Sequence, residues 1–150
     1  MSEIVVINNY VDFPDDSQVC KHNTDDIIMF LGKMNYEPNI TAVKYFANTI
    51  FPILRRSIRD LRFFVVGAQP TKEIRDLSEI EGIEVTGFVE STEPYFQKAS
   101  IVIAPMLTGA GVQNKIIQAM SYGCCVATTN IGAEGLSLES IDIVILNSDN

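Results

Sequence analysis

The chain has 150 residues, of which 47% are hydrophobic and 20% charged, with a net charge of -8. That length and filling suit a single globular domain and argue against disorder. No stretch is dense in Lys and Arg, which speaks against a broad nucleic-acid surface; a few converging cations could still hold a small anion.

In chain order, "EIVVINN" (3–9) reads as a short apolar strand. "YVDFPDDSQVCKHNTDD" is polar, broken by Pro14, and reads as a loop. "IIMFLG" is a continuous apolar run closed by Gly32, the form of a buried parallel strand. "NITAVKYFANTIFPILRRSI" has helical spacing in Ile40, Val43, Phe46, Ala47, Ile50 and Leu54. Asn39 is its expected N-cap, and Pro52 is expected to kink or divide it. "LRFFVVG" repeats the strand-then-glycine form. "TKEIRDLSEI" predicts a short helix, "IEVTGFV" a strand ending at Gly87, "EPYFQKA" one or two helical turns, and "IVIAP" another strand. A helix from about Val112 to Tyr122, stopped by Gly123, leads into the strands "CVATT" and "IDIVIL".

Solid apolar strands alternating with helices predict an α/β fold, a Rossmann-like parallel sheet sandwiched by helices. Such sheets bind ligands at the carboxyl ends of their strands. Gly32, Gly67, Gly87 and the Gly109 loop fall at those ends. No repeat and no interdomain linker interrupts the pattern.

The stretch "PMLTGAGVQNKIIQAMSYG" (105–123) carries the chemistry. Gly109 and Gly111 open a helix whose N-terminus has partial positive charge, and glycines let backbone approach an anion. On a wheel of about 100° per residue, Val112, Ile116, Ile117 and Met120 form an apolar side directed at the sheet. Lys115 and Gln118 then occupy a polar front, where Lys115 can bond a phosphate oxygen. Spacing alone is equally compatible with a tight turn bearing a solvated lysine and glutamine. Two phosphate motifs fail. A P-loop needs Ser or Thr after Lys115, where Ile116 stands, and a dinucleotide fingerprint needs glycine at Asn114.

Cys20, Cys124 and Cys125 have no framework spacing and read as reduced thiols of a cytosolic chain, the adjacent pair as buried filler at the start of a strand. His22, the sole histidine, has no partner at metal-ligand spacing, and there is no DxD pair, so no metal site is expected. No basic region precedes an apolar run, and no apolar stretch approaches the ~20 residues of a membrane span.

"GAGVQNKIIQAMSYGCCVATTNIGAEGL" closely resembles the nucleotide-sugar-binding segment of family 4 glycosyltransferases, which have the GT-B fold. The shared features are Gly109, Gly111, Lys115, the Gln118-Ala119-Met120 triplet, Gly123, "VATT" and "GAEGL". "VVINNYVD", "FLGKMNYEPNITAVKYFANTIFPIL", "FFVVGAQP" and "VTGFVE" match further segments, so the resemblance covers nearly the whole chain.

The resemblance implies the C-terminal, donor-binding domain of a two-domain enzyme, with the N-terminal acceptor domain absent and the C-terminal helices truncated. It implies retaining, metal-independent transfer from a nucleotide diphosphate sugar, UDP- or GDP-linked, and no cofactor. Gly109, Ala110, Gly111, Val112 and Lys115 would hold the diphosphate. Gly32, Lys33 and Gly67 would line the rim, Phe88 and Val89 would lie near the base, and Gln118 would contact the ribose. Catalytic residues would lie partly in the missing domain, which is also the expected partner. Alone, the chain would not transfer sugar, and its exposed cleft would drive association.

Two residues depart from the family pattern. Gln118 stands where the family has Glu, and Lys33 alone stands where an Arg and a Lys are common. Gln118 keeps open a degenerate, non-catalytic binding domain. Another GT-B enzyme, such as a sugar-nucleotide epimerase, and a stand-alone flavodoxin-like domain also stay open. Nucleic acid is not expected as a partner. The resemblance leaves membrane association of the parent open.

Overall fold

A computed structural model describes Pro14, residues 25–136 and residues 143–146. The expected strand at 3–9, most of the loop after it, Cys20 and His22 lie outside the described residues. Among the described residues, six strands form one sheet: β1 (Ile27–Leu31), β2 (Arg62–Val66), β3 (Ile83–Gly87), β4 (Ile101–Ala104), β5 (Val126–Thr129) and β6 (Ile143–Leu146). Their order is β3-β2-β1-β4-β5-β6, and every pairing is parallel. This is the doubly wound Rossmann order, and the expected α/β architecture is the one observed.

Strand alternation distributes the helices. Phe63 and Phe64 are neighbours on β2 and so point to opposite faces. Phe63 packs on Phe46 and Phe51, with ring centroids at 4.8 and 5.9 Å. Those rings belong to the long helical segment made of α1 (Glu37–Tyr45), a π turn (Phe46–Ile50) and α2 (Phe51–Ser57). Phe64 meets Tyr95 edge-on at 6.0 Å. Tyr95 lies on α4 (Glu93–Lys98), whose Phe96 stacks on Tyr122 at the end of α5 (Asn114–Ser121). The short α3 (Lys72–Asp76) is capped by the Thr71 hydroxyl, which accepts from the Ile74 amide. The core between these layers is aromatic and aliphatic, with Met29, Phe30, Phe63, Val65 and Val102 fully buried.

Three local expectations are corrected. Helix α1 starts at Glu37, two residues before the predicted N-cap; Pro38 sits in its first turn, where its missing N–H costs nothing. Asn39 is therefore inside the helix, and its side chain is used elsewhere. The division expected at Pro52 is present, with the proline in the first turn of α2. The chain widens into the π turn before it, closed by a bond from the Phe51 amide to the Phe46 carbonyl. Both cysteines precede β5; Cys124 is buried, but Cys125 is exposed. Helix α5 begins two residues later than predicted and ends as expected. Gly123 (φ 71°) closes it in a Schellman turn, with Gly123 N–H bonding Met120 O and Cys124 N–H bonding Ala119 O.

Candidate functional site

The order of the sheet reverses between β1 and β4, where the chain departs in opposite directions. A crevice forms outside the carboxyl ends of strands at such a point. Here it is a cleft of about 770 Å³. Gly32, Lys33, Asn35, Tyr36 and Asn39 line it from the β1–α1 segment, and Gln69 from the loop after β2. Ala110, Val112, Gln113, Lys115 and Gln118 line it from the glycine loop and α5.

The β1–α1 wall is fixed by hydrogen bonds. Gly32 N–H bonds Val66 O and Met34 N–H bonds Ala68 O, tying this segment to the end of β2. The contact is so close that a Cβ on Gly67 (φ 145°) would lie 1.8 Å from the Gly32 carbonyl oxygen. Asn35 Nδ2 donates to Gln69 Oε1 at 2.8 Å. Gln69 has φ 58°, the only positive value outside glycine among the described residues.

The opposite wall starts at β4. Two buried threonines of β5 hold its exit, Thr128 Oγ1 donating to Ala104 O at 2.8 Å and Thr129 Oγ1 to Met106 O at 2.6 Å. The "GAEGL" turn supports the loop from behind, since a Cβ on Gly135 would lie 3.0 Å from Val112 Cγ2. From Thr108 to Gly111 the loop is exposed. Gly109 (φ 126°) and Gly111 (φ 78°) carry it through left-handed conformations, and a Cβ on Gly111 would meet nothing within 4 Å. The loop ends at Gln113, which occupies the N-cap of α5 without a side-chain capping bond.

Lys115 is the main correction to the helical wheel. It is 8% exposed, and Ile116 and Ala119 are buried beside it, while Ile117 is only partly covered. On the wheel Lys115, Ala119 and Ile116 fall within one arc of about 100°, and that arc, not the one centred on Ile117 and Met120, faces inward. The lysine stem therefore folds over the rim instead of standing on a polar front. Its Nζ lies 4.4 Å from the centre of the Phe30 ring. It donates to Asn39 Oδ1 and, weakly, to Met106 Sδ at 3.7 Å. No described carboxylate pairs with it. Burial pulls its pKa down from 10.5 to about 8. A buried ammonium is costly without a counter-charge. This one has a neutral amide, a thioether and a ring face, and it borders a cleft.

Of the residues predicted for a site, Gly32, Lys33, Ala110, Val112, Lys115 and Gln118 line this cleft; Gly109 and Gly111 shape its loop. Gly67 braces the β1–α1 wall from behind. Phe88, 77% exposed, and Val89 follow β3 and are not among the lining residues. Gln118 reaches toward their loop, its Nε2 3.4 Å from Thr92 Oγ1. The sequence reading missed Asn35, Tyr36, Asn39, Gln69 and Gln113 as lining residues.

A doubly wound parallel sheet with a glycine loop and a buried cation at its switch point places the chain among Rossmann-like domains. Comparison with known proteins makes it particular. The sequence profile of glycosyl transferases group 1 matches residues 25–148, and the chain belongs to that family. An uncharacterized 44.6 kDa protein in the cps region of Klebsiella pneumoniae is 23% identical, over 85% of this chain and 34% of its own length. A TarM variant of S. aureus, solved with fondaparinux, α-GlcNAc-glycerol and UDP, superposes with a TM-score of 0.74 at 17% identity, over 99% of this chain and 30% of that one. The pneumococcal O-GlcNAc transferase GtfA, solved with UDP and GlcNAc, gives 0.66 at 13% identity, over 93% and 27%. The fold is thus the Rossmann-like fold of GT-B glycosyltransferases, and the chain spans about a third of the length of the relatives it matches.

Proposed function

We propose that this chain is the C-terminal, donor-binding domain of a family 4 glycosyltransferase, and that it binds a nucleotide diphosphate sugar in the β1/β4 cleft. The observation that carries this reading is Lys115, a buried ammonium with no described carboxylate partner, beside a glycine loop and a helix N-terminus. A diphosphate supplies the missing counter-charge. The amides of Gly109 to Val112 face one side of it and Lys115 the other. As the sugar leaves, charge grows on the β-phosphate, and a fixed ammonium in a poorly hydrated wall stabilises it. UDP is the first nucleotide to test, because TarM and GtfA were both solved with it. Retaining, metal-independent transfer is proposed on the family resemblance. The acceptor is held by a separate domain, so this chain alone binds donor without transferring sugar.

Gln118 supports a second reading, a lapsed transferase. An amide accepts from a ribose hydroxyl less strongly than the family's carboxylate, roughly 1 kcal/mol against 1.5–3. Calorimetric titration with UDP, GDP and ADP, repeated on Lys115→Ala and Gln118→Glu, tests both. Saturable binding of one nucleotide that is lost in Lys115→Ala is expected. Binding that appears only in Gln118→Glu would favour the lapsed enzyme. Wild-type binding that survives Lys115→Ala unchanged would sink the cradle.

A further inference from the structure

We propose that Asn39 is a positioning residue for anion recognition: its neutral amide seats the Lys115 ammonium in the cleft wall without cancelling the charge. The inference rests on the reading of the cleft as an anion site. Asn39 is 5% exposed, inside α1, and uses both ends of its side chain. Oδ1 accepts from Lys115 Nζ, and Nδ2 donates to Lys33 O at 2.9 Å. The amide is closed in from behind, since a Cβ on Gly32 would lie 2.6 Å from Nδ2. One side chain thus couples the β1–α1 segment to a lysine 76 residues away.

The chemistry of the acceptor matters more than its shape. Asp has the same size as Asn and would bond the ammonium more strongly. It would also neutralise it, and an arriving phosphate would have to displace an internal ion pair. The surroundings are consistent with protecting the charge. Lys115 is the only charged residue between Lys98 and Glu134, so α5 and the loop before it offer no other ionic group. Strand β1 carries none, and the β1–α1 segment adds Lys33 and Glu37, neither ion-paired to Lys115.

The test is an NMR titration of the Lys115 side chain in the nucleotide-free 150-residue chain, for wild type, Asn39→Asp and Asn39→Leu, with UDP affinity measured at pH 7. Asn39→Asp should raise the Lys115 midpoint by at least about one pH unit, as a carboxylate contact does, and weaken UDP at least tenfold. Asn39→Leu should lower the midpoint, because it removes an acceptor from the charged form. A Lys115 midpoint unmoved by either variant overturns the proposal, as does wild-type UDP affinity in Asn39→Asp. Failure of the wild-type chain to bind UDP would remove the nucleotide reading. The titration, recorded without nucleotide, would still decide the role of Asn39.

Discussion

The two walls of the cleft are built on different principles. The β1–α1 wall is braced at each step, by Gly32 to Val66, Met34 to Ala68, Asn39 to Lys33 and Asn35 to Gln69. The Gly109–Gln113 wall is glycine-rich, exposed as far as Gly111 and open around that residue. The same residue type marks the contrast. Gly67 is glycine because backbone fills the space where a Cβ would go; Gly111 is glycine for its φ alone. A braced wall that fixes a cation, facing a loop whose backbone stays accessible, is the arrangement an anion site needs. Lys115 belongs to the open wall by sequence and to the braced one by contact.

The largest expected effect is on the braced wall. Gly67→Ala should cost at least about 3 kcal/mol in urea unfolding, because a Cβ would overlap the Gly32 carbonyl at 1.8 Å. Gly111→Ala, with nothing within 4 Å, meets only the backbone penalty of its φ of 78°, roughly 1–2 kcal/mol. Equal costs at the two sites would erase the contrast.

Lys115→Met separates binding from stability. It should weaken UDP about 100-fold, the loss of a charge-assisted contact of up to about 3 kcal/mol. Thermal stability should hold or rise slightly, because relief from burying the ammonium offsets an unpaired Asn39 Oδ1. A large loss of stability would show that Lys115 is structural cement.

The pH dependence follows from the same group. Lys115 is charged in both folded and unfolded chains below pH 8, so the cost of burying that charge is fully present there. As pH rises from about 8 toward 10.5, the folded chain sheds the proton first and the cost is relieved. The wild-type chain should therefore gain up to about 3 kcal/mol across that window relative to Lys115→Met. The difference between their two unfolding curves isolates the lysine from other titrating groups.

The smallest effect belongs to Gln118. Gln118→Glu should tighten UDP by roughly tenfold or less if the side chain meets the ribose, the difference between a charged and a neutral acceptor. No change would assign Gln118 to its contact with Thr92 instead.

Much of this was legible in the sequence for simple reasons. Strands β1, β2 and β4 are dense apolar runs, and Gly32, which follows β1, lines the cleft. What escaped was non-local or depended on one helical turn. Asn39 resembled an N-cap because it precedes an apolar run, but Pro38 had already started the helix. Its true partner is Lys115, which no local pattern indicates. The burial of Lys115 depended on which arc of α5 meets the sheet: Lys115, Ile116 and Ala119 share the buried arc, and the larger apolar side chains Ile117 and Met120 drew the expected face away from it. The Asn35–Gln69 bond joins two loops whose proximity exists only once β1 and β2 pair. Cys125 was grouped with Cys124, yet neighbours along extended chain face opposite ways.

On the proposed reading, the cleft holds an ammonium whose charge is reserved for a diphosphate. This reservation is tested most directly by calorimetry of UDP binding to the 150-residue chain at pH 8.5, in two buffers of different ionisation enthalpy. Lys115, lowered to about 8, is then mostly deprotonated, and a bound diphosphate should restore its proton. Uptake of most of one proton per UDP bound is expected, abolished in Lys115→Met. UDP binding with no proton uptake would contradict it.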